Sequence, residues 1–274
     1  MSGFIVEGVK EMGKWLLLAL IGWVSFPLWA SDVMREARMA AEIREALLVG
    51  EPVMLSSGDT EFLAIFAEET TDTSQGAAII LHGRGAHPDW MEVINPLRSQ
   101  LPDYGWKTLS LQMPIAAADA PDEHYAALIP EAAPRIMAAV DYLKQQGVTN
   151  VVLIAHSLGA KMGVAYLAQG IPDELKAFVA VGLPSDRKRT DQGTLADLAK
   201  IKLPLLDLYG SRDIDAVLNS VKARAAAAKR AENGDYRQRE VEGADHFFTG
   251  LDDALVAQVR AWIGRVAPGE QVRQ

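Results

Sequence analysis

The chain has 274 residues, 49% hydrophobic and 23% charged, which is enough apolar material for one large globular core. Its 27 basic and 36 acidic residues leave a net charge of -9, which repels polyanions and argues against nucleic acid as a partner. Cysteine is absent, so disulfides, thiolate metal sites and cysteine nucleophiles are all excluded.

Lys10 and Lys14 precede an apolar run from Trp15 to Trp29, broken late by Pro27 and followed by Ala30, Ser31 and Asp32. Residues 1–30 therefore read as the charged, hydrophobic and cleavage regions of a secretory signal, and the expected location is periplasmic or exported. Against this, Glu7 and Glu11 dilute the basic start, and Leu28 is a poor residue three before the cut. An uncleaved anchor is the alternative, which would keep the protein near the membrane, although the run is short of the roughly 20 residues a spanning helix needs. A buried N-terminal helix is the third reading.

Residues 31–50 follow as a surface helix, with Met34, Ala37, Ala40, Ile43 and Leu47 as its buried stripe and Gly50 as its stop. Pro52–Leu55 and Glu61–Ala67 are extended runs joined by Ser56, Ser57, Gly58 and Asp59, turn chemistry that predicts a hairpin at a sheet edge. Beyond Gly76 the pattern changes to apolar runs, Ala77–Leu81, Thr108–Met113, Val151–Ala155, Phe178–Val181 and Leu205–Tyr209, with helical stretches between them. Runs apolar on both faces are what parallel strands covered by helices look like. The helices are predicted at Met91–Gln100, Ala133–Gln146, Leu158–Gln169, Ala216–Asn233 and Asp252–Val266. An eighth strand, Tyr236–Val241, alternates polar and apolar residues and belongs near an edge. Residues 51–266 thus form one α/β domain, a mostly parallel eight-stranded sheet with an antiparallel N-terminal hairpin and helices on both faces, and residues 267–274 are expected to be a disordered tail.

The strand Val151–Ala155 runs through His156, Ser157, Leu158 and Gly159 straight into a helix. This resembles the G-x-S-x-G nucleophile elbow of α/β-hydrolases, with Ala155 in place of the first glycine, the smallest available departure. An acyl-transfer serine also needs a base, an orienting carboxylate and donors for the oxyanion. His82-Gly83-Arg84-Gly85, after the third strand, resembles the loop that lends one backbone N–H to the oxyanion hole, from Gly83 or Arg84, with Leu158 N–H as the second donor. His82 itself reads as shaping that loop. Asp213, in a Gly-x-x-Asp pattern past Tyr209, looks like the triad acid; Asp207 inside the apolar strand reads as a buried structural carboxylate and Asp215 as the N-cap of the alanine-rich helix. His246, after the last strand, stands where the resemblance places the base, while His156 is a neighbour of the serine and His87 and His124 lie in loops.

The resemblance covers nearly all of residues 50–266. Phe62–Phe66, then Leu81-His82-Gly83-x-Gly85-x-His87-Pro88-Asp89-Trp90, then Gly105–Pro114 are together similar to a family of exported proteobacterial α/β-hydrolase-like proteins that carries a domain-of-unknown-function label. It implies an α/β-hydrolase fold and the triad Ser157, Asp213 and His246, and it supplies no substrate. Gly182–Leu203 is polar, with Arg187, Lys188 and Arg189 together, and makes no large apolar lid; the basic cluster reads as a solvated loop, with attraction of an anionic substrate or membrane phosphate as the sharper reading. Pro114–Pro134, which holds His124 and Tyr125, is placed to cover the site. Trp90 is either an aromatic wall beside the oxyanion loop or the start of a helix. No metal-ligand spacing, phosphate loop or dinucleotide fingerprint occurs, so neither metal nor cofactor is expected. The expected function is serine hydrolysis of a small ester-type substrate; the alternative is a non-catalytic exported protein that keeps the fold for binding.

Overall fold

The computed structural model describes residues 31–121, 123–185 and 193–269. The signal or anchor reading of residues 1–30, the basic cluster Arg187–Arg189 and residues 270–274 of the tail lie outside them. In chain order the elements are α1 (Val33–Ala46), β1 (Glu51–Ser57), β2 (Thr60–Ala67), β3 (Gly76–Leu81), α2 (Ile94–Gln100), β4 (Trp106–Leu111), α3 (His124–Ala127), α4 (Ile129–Gln145) and β5 (Val151–His156). There follow α5 (Leu158–Leu167), β6 (Leu175–Val181), α6 (Thr194–Leu198), β7 (Leu205–Arg212), α7 (Asp215–Leu218), α8 (Val221–Arg230), β8 (Tyr236–Asp245) and α9 (Asp252–Val266). Among the described residues, no helix is long and apolar enough to cross a membrane.

The strands form one sheet in the order β1-β2-β4-β3-β5-β6-β7-β8. The β1–β2 hairpin is antiparallel, β2 joins β4 antiparallel, and every other pairing is parallel. Side chains alternate across each strand, so one run feeds two cores. In β5, Val151, Leu153 and Ala155 enter a cluster with Ile136, Ala139 and Leu143 of α4 and Met162 and Val164 of α5. Val152 and Ile154 enter the opposite cluster with Ile94 and Leu97 of α2 and Leu255, Val259, Trp262 and Ile263 of α9. Each such Val, Leu or Ile contributes about 1.5–3 kcal/mol through burial, which is why both faces of the central strands are apolar. The edge strand β8 alternates partly buried and exposed positions along most of its length.

Four expectations are corrected. In α1, Ile43 is buried and Ala40 and Leu47 pack beside it as predicted, but Met34, at 67%, and Ala37 are exposed and Glu36 is buried in the first turn instead. The cause is polar: Glu36 accepts from Ile115 N–H at 3.1 Å and pairs with Arg135 at 2.8 Å, and this buried pair outweighs an exposed methionine. The alanine-rich helix is two helices, α7 and α8. Between them Ser220 Oγ donates back to Ala216 O at 2.7 Å and takes Arg224 into the break. Asp215 consequently is the first residue of α7 and Ile214 is its N-cap. The start of the tail is held, with Ala267 buried, its carbonyl accepting from Asn150 Nδ2 at 3.0 Å, and Gly269 N–H on Gln75 Oε1 at 3.1 Å.

Candidate active site

Ser157 occupies the single-residue junction between β5 and α5, with φ 53° and ψ -117°. A non-glycine residue there stores strain of about 1–3 kcal/mol, sustained only by the packing around it. The turn is held by Ser157 N–H on Val181 O at 2.9 Å. It is also forced by Gly159, where a Cβ would fall 2.4 Å from His82 O and 2.8 Å from Leu81 O. Ala155, the departure from the elbow pattern, pairs with Leu81 and Ala180, and its methyl is absorbed by the core cluster on the α4–α5 face.

Asp213 and His246 arrive on adjacent strands. β7 and β8 continue past the predicted ends, Tyr209 and Val241, and their register shifts between Gly210 and Arg212, which pairs with Asp245. Gly210 makes this possible, because a Cβ there would lie 2.2 Å from Ala244 O. The strands therefore release Asp213 and His246 side by side. Asp213 Oδ1 accepts from His246 Nδ1 at 2.6 Å and from Ile214 N–H at 2.8 Å, and Oδ2 accepts from Gly210 N–H at 3.3 Å. Because a carboxylate only accepts, Nδ1 carries the proton and the Nε2 lone pair is left for Ser157 Oγ, 2.9 Å away. The carboxylate side chain is fully enclosed and the imidazole is 9% exposed.

The loop after β3 is fixed by His82. Its Nδ1–H donates to Gly83 O at 2.8 Å, and its Nε2 accepts from Met113 N–H at 2.9 Å and Gln112 Nε2 at 3.1 Å. Burial pushes its pKa down to about 3, so the ring stays neutral and every bond keeps its direction. Ala86 N–H bonds the same Gly83 carbonyl at 3.3 Å. In a trans peptide C=O and N–H point oppositely, so Arg84 N–H faces away from His82. Leu158 opens α5, where a helix leaves its first N–H groups without intrahelical acceptors.

The remaining candidates separate cleanly. Asp207 is fully buried and binds Arg224 Nε at 2.7 Å, Tyr236 Oη at 2.6 Å and Gln238 Nε2 at 2.9 Å, all away from Ser157. His87 accepts from Asp89 N–H at 3.2 Å and meets the Trp90 ring at 5.4 Å, and Trp90 packs against the α2–α9 core. His124 is exposed at the start of α3. Tyr125, beside it, is buried under the Arg84 guanidinium, 3.9 Å above its ring, which ties the Pro114–Pro134 segment to the oxyanion-type loop. Two neighbours were not singled out in the sequence. Gly182 leaves room for the imidazole, since a Cβ there would touch His246 Nδ1 at 3.0 Å. Phe247, 43% exposed, sets its ring edge-on to His246 at 5.2 Å. A glycine just past a strand is a usable signal; for Phe247 the only signal is its place after His246. Among the described residues, no group of three or more His, Asp or Glu is placed to hold a metal ion.

A family model described as "Protein of unknown function (DUF3530)" matches residues 31–135 and 130–265. No curated protein matches the sequence. Among solved structures, the esterase Pf2001 of Pyrococcus furiosus is 16% identical, with 82% of this chain and 95% of that one covered at a TM-score of 0.65. Est1E from Butyrivibrio proteoclasticus is 17% identical, covering 78% and 98% at a TM-score of 0.59. XC6422 from Xanthomonas campestris, described as an α/β serine hydrolase without lid, is 13% identical, covering 81% and 97% at 0.60. These likenesses establish the fold as that of the α/β-hydrolases.

Proposed function

The chain belongs to the DUF3530 family, and we propose that this member is a serine hydrolase that cleaves a small carboxylic ester. One observation carries the reading: His246 bridges Ser157 Oγ at 2.9 Å and Asp213 Oδ1 at 2.6 Å. Three residues from three strand ends, spaced in the Ser, Asp, His order, meet in hydrogen-bond contact at a strained turn.

In this reading Ser157 Oγ attacks the substrate carbonyl while its proton passes to His246 Nε2. The imidazolium gives that proton to the leaving alcohol, and the acyl group stays on Ser157. Water then attacks the acyl-enzyme, losing a proton to His246, which returns it to Ser157 as the acid leaves. Asp213 holds the imidazole in the Nδ1–H tautomer and stabilises its charge. The oxyanion is met by Leu158 N–H and by the loop after β3; the orientation of the Gly83 carbonyl favours Arg84 N–H over Gly83 N–H as the second donor. Reading residues 1–30 as a signal supports a periplasmic or exported enzyme, and reading them as an anchor supports one held at the inner membrane.

A fluorophosphonate probe tests the assignment. Folded wild type is expected to take one label, and Ser157→Ala none. A folded wild type that stays unlabelled, or a Ser157→Ala variant that labels like wild type, overturns it.

A further inference from the structure

His156 precedes Ser157 and plays no part in the proton path, yet its side chain reaches across the site. Its Nε2 lies 3.0 Å from the backbone carbonyl of His246. A carbonyl only accepts, so Nε2 carries the proton and the tautomer is fixed. The His156 and His246 rings lie 4.8 Å apart at 42°, with the Phe247 ring 5.8 Å from His156 on the same loop. Gly83 closes on the other side: a Cβ there would fall 3.0 Å from His156 Nδ1 and 3.2 Å from Ser157 Cβ. One imidazole, 4% exposed, thus touches the elbow, the loop after β3 and the loop that carries His246.

The topology gives this contact its weight. β6 and β7 stand between β5 and β8, so no ladder hydrogen bond can tie the elbow to the loop after β8. The strands set where His246 begins; they do not set the tilt of the peptide from which its side chain leaves. We infer that His156 is a positioning residue, which by donating to the carbonyl of His246 holds that imidazole in line with Ser157 Oγ. The inference rests on the serine-hydrolase reading above. Burial first, and the neighbouring His246 second, push the His156 pKa down to about 4. The donor is therefore neutral at ordinary pH and sets no charge against the imidazolium that forms on His246 during turnover.

The test uses the full chain, the fluorophosphonate labelling rate, and kcat and KM for a short-chain p-nitrophenyl ester. His156→Phe keeps a ring and loses the donor. His156→Gln places an amide N–H near the position of Nε2, whereas His156→Asn places it near Nδ1, too short for the His246 carbonyl. Misplacing a reacting group by about 1 Å costs on the order of 100-fold, so His156→Phe and His156→Asn are expected to lower labelling and kcat by about 10- to 100-fold with KM within about twofold. His156→Gln is expected to recover most of that loss. If His156→Phe does not fold, the Gln and Asn variants decide by their order. Folded His156→Phe labelling at the wild-type rate, or Gln no faster than Asn, overturns the positioning role while leaving the hydrolase reading intact. An unlabelled wild type overturns the hydrolase reading instead.

Discussion

Asp207 and Asp213 lie six positions apart on β7 and just past its end, both enclosed and both hydrogen-bonded, yet they face different partners. Asp207 meets a permanent cation: Arg224 binds both of its oxygens, at 2.7 and 3.1 Å, and Tyr236 and Gln238 complete the shell. Burial, and then the Asp207 charge, hold the Tyr236 hydroxyl protonated, so it remains a donor. That network is closed and has nothing left to give. Asp213 meets backbone N–H groups and one imidazole, whose far nitrogen reaches Ser157. The difference teaches that a buried carboxylate is read by what faces it. A guanidinium that cannot lose its proton makes a strut, and an imidazole that can is what the proposed proton path requires.

The comparison is broken most sharply by removing one carboxylate at a time. Asp213→Asn keeps the shape and reverses the hydrogen-bond preference at Nδ1, so labelling and ester turnover should fall by about 10⁴-fold, the scale of the equivalent change in a serine protease triad, while the thermal midpoint scarcely moves. Equal losses in stability and activity would make Asp213 a strut as well. Asp207→Ala should do the reverse. It leaves Arg224 buried without its partner, at a cost of about 3–5 kcal/mol measured by urea unfolding, while the fraction that remains folded still labels at Ser157. A folded, stable Asp207→Ala that fails to label would contradict the division of roles.

A smaller effect comes from the two neutral histidines that frame the site. Their pKa values are pushed down to about 3 for His82 and about 4 for His156, chiefly by burial. The unfolded chain takes up these protons near pH 6.5 and the native protein only below the depressed values, so stability is full above pH 6.5 and is lost as the pH falls towards 4. Each ring contributes a slope of up to about 1.4 kcal/mol per pH unit. Urea midpoints measured from pH 7 to pH 4.5 should decline less steeply in His156→Phe than in wild type; equal slopes would remove His156 from this account.

Much of the architecture was legible in order and type. The five central strands β3 to β7 follow from apolar runs, because a strand covered on both faces has few polar positions to blur the pattern, while the hairpin follows from its turn residues, and β8 and the helix Asp252–Val266 from period. The misreadings share a cause. The α1 stripe held at Ala40, Ile43 and Leu47 but was carried too far, to Met34 and Ala37, since hydropathy cannot foresee that Glu36 finds Arg135 across a distance of 99 positions. The break at Asn219–Ser220 was hidden by alanine-rich propensity, which says nothing of an arginine drawn towards Asp207.

In the site, the residue types and their chain order were available from short local motifs read through their resemblance to the α/β-hydrolases: a serine at a strand-to-helix turn, an aspartate past one strand end, a histidine past the next. Such features are set by backbone sterics and hydrophobic period within a few residues, and so are written in the sequence. Only the tertiary structure decided how far β7 and β8 continue, that Gly210 lets Ala244 approach, which peptide of the loop after β3 turns its N–H outward, and that His156 spans the site to His246. These depend on distances between segments up to 90 residues apart, where packing and hydrogen-bond satisfaction choose among arrangements that local preference leaves equal.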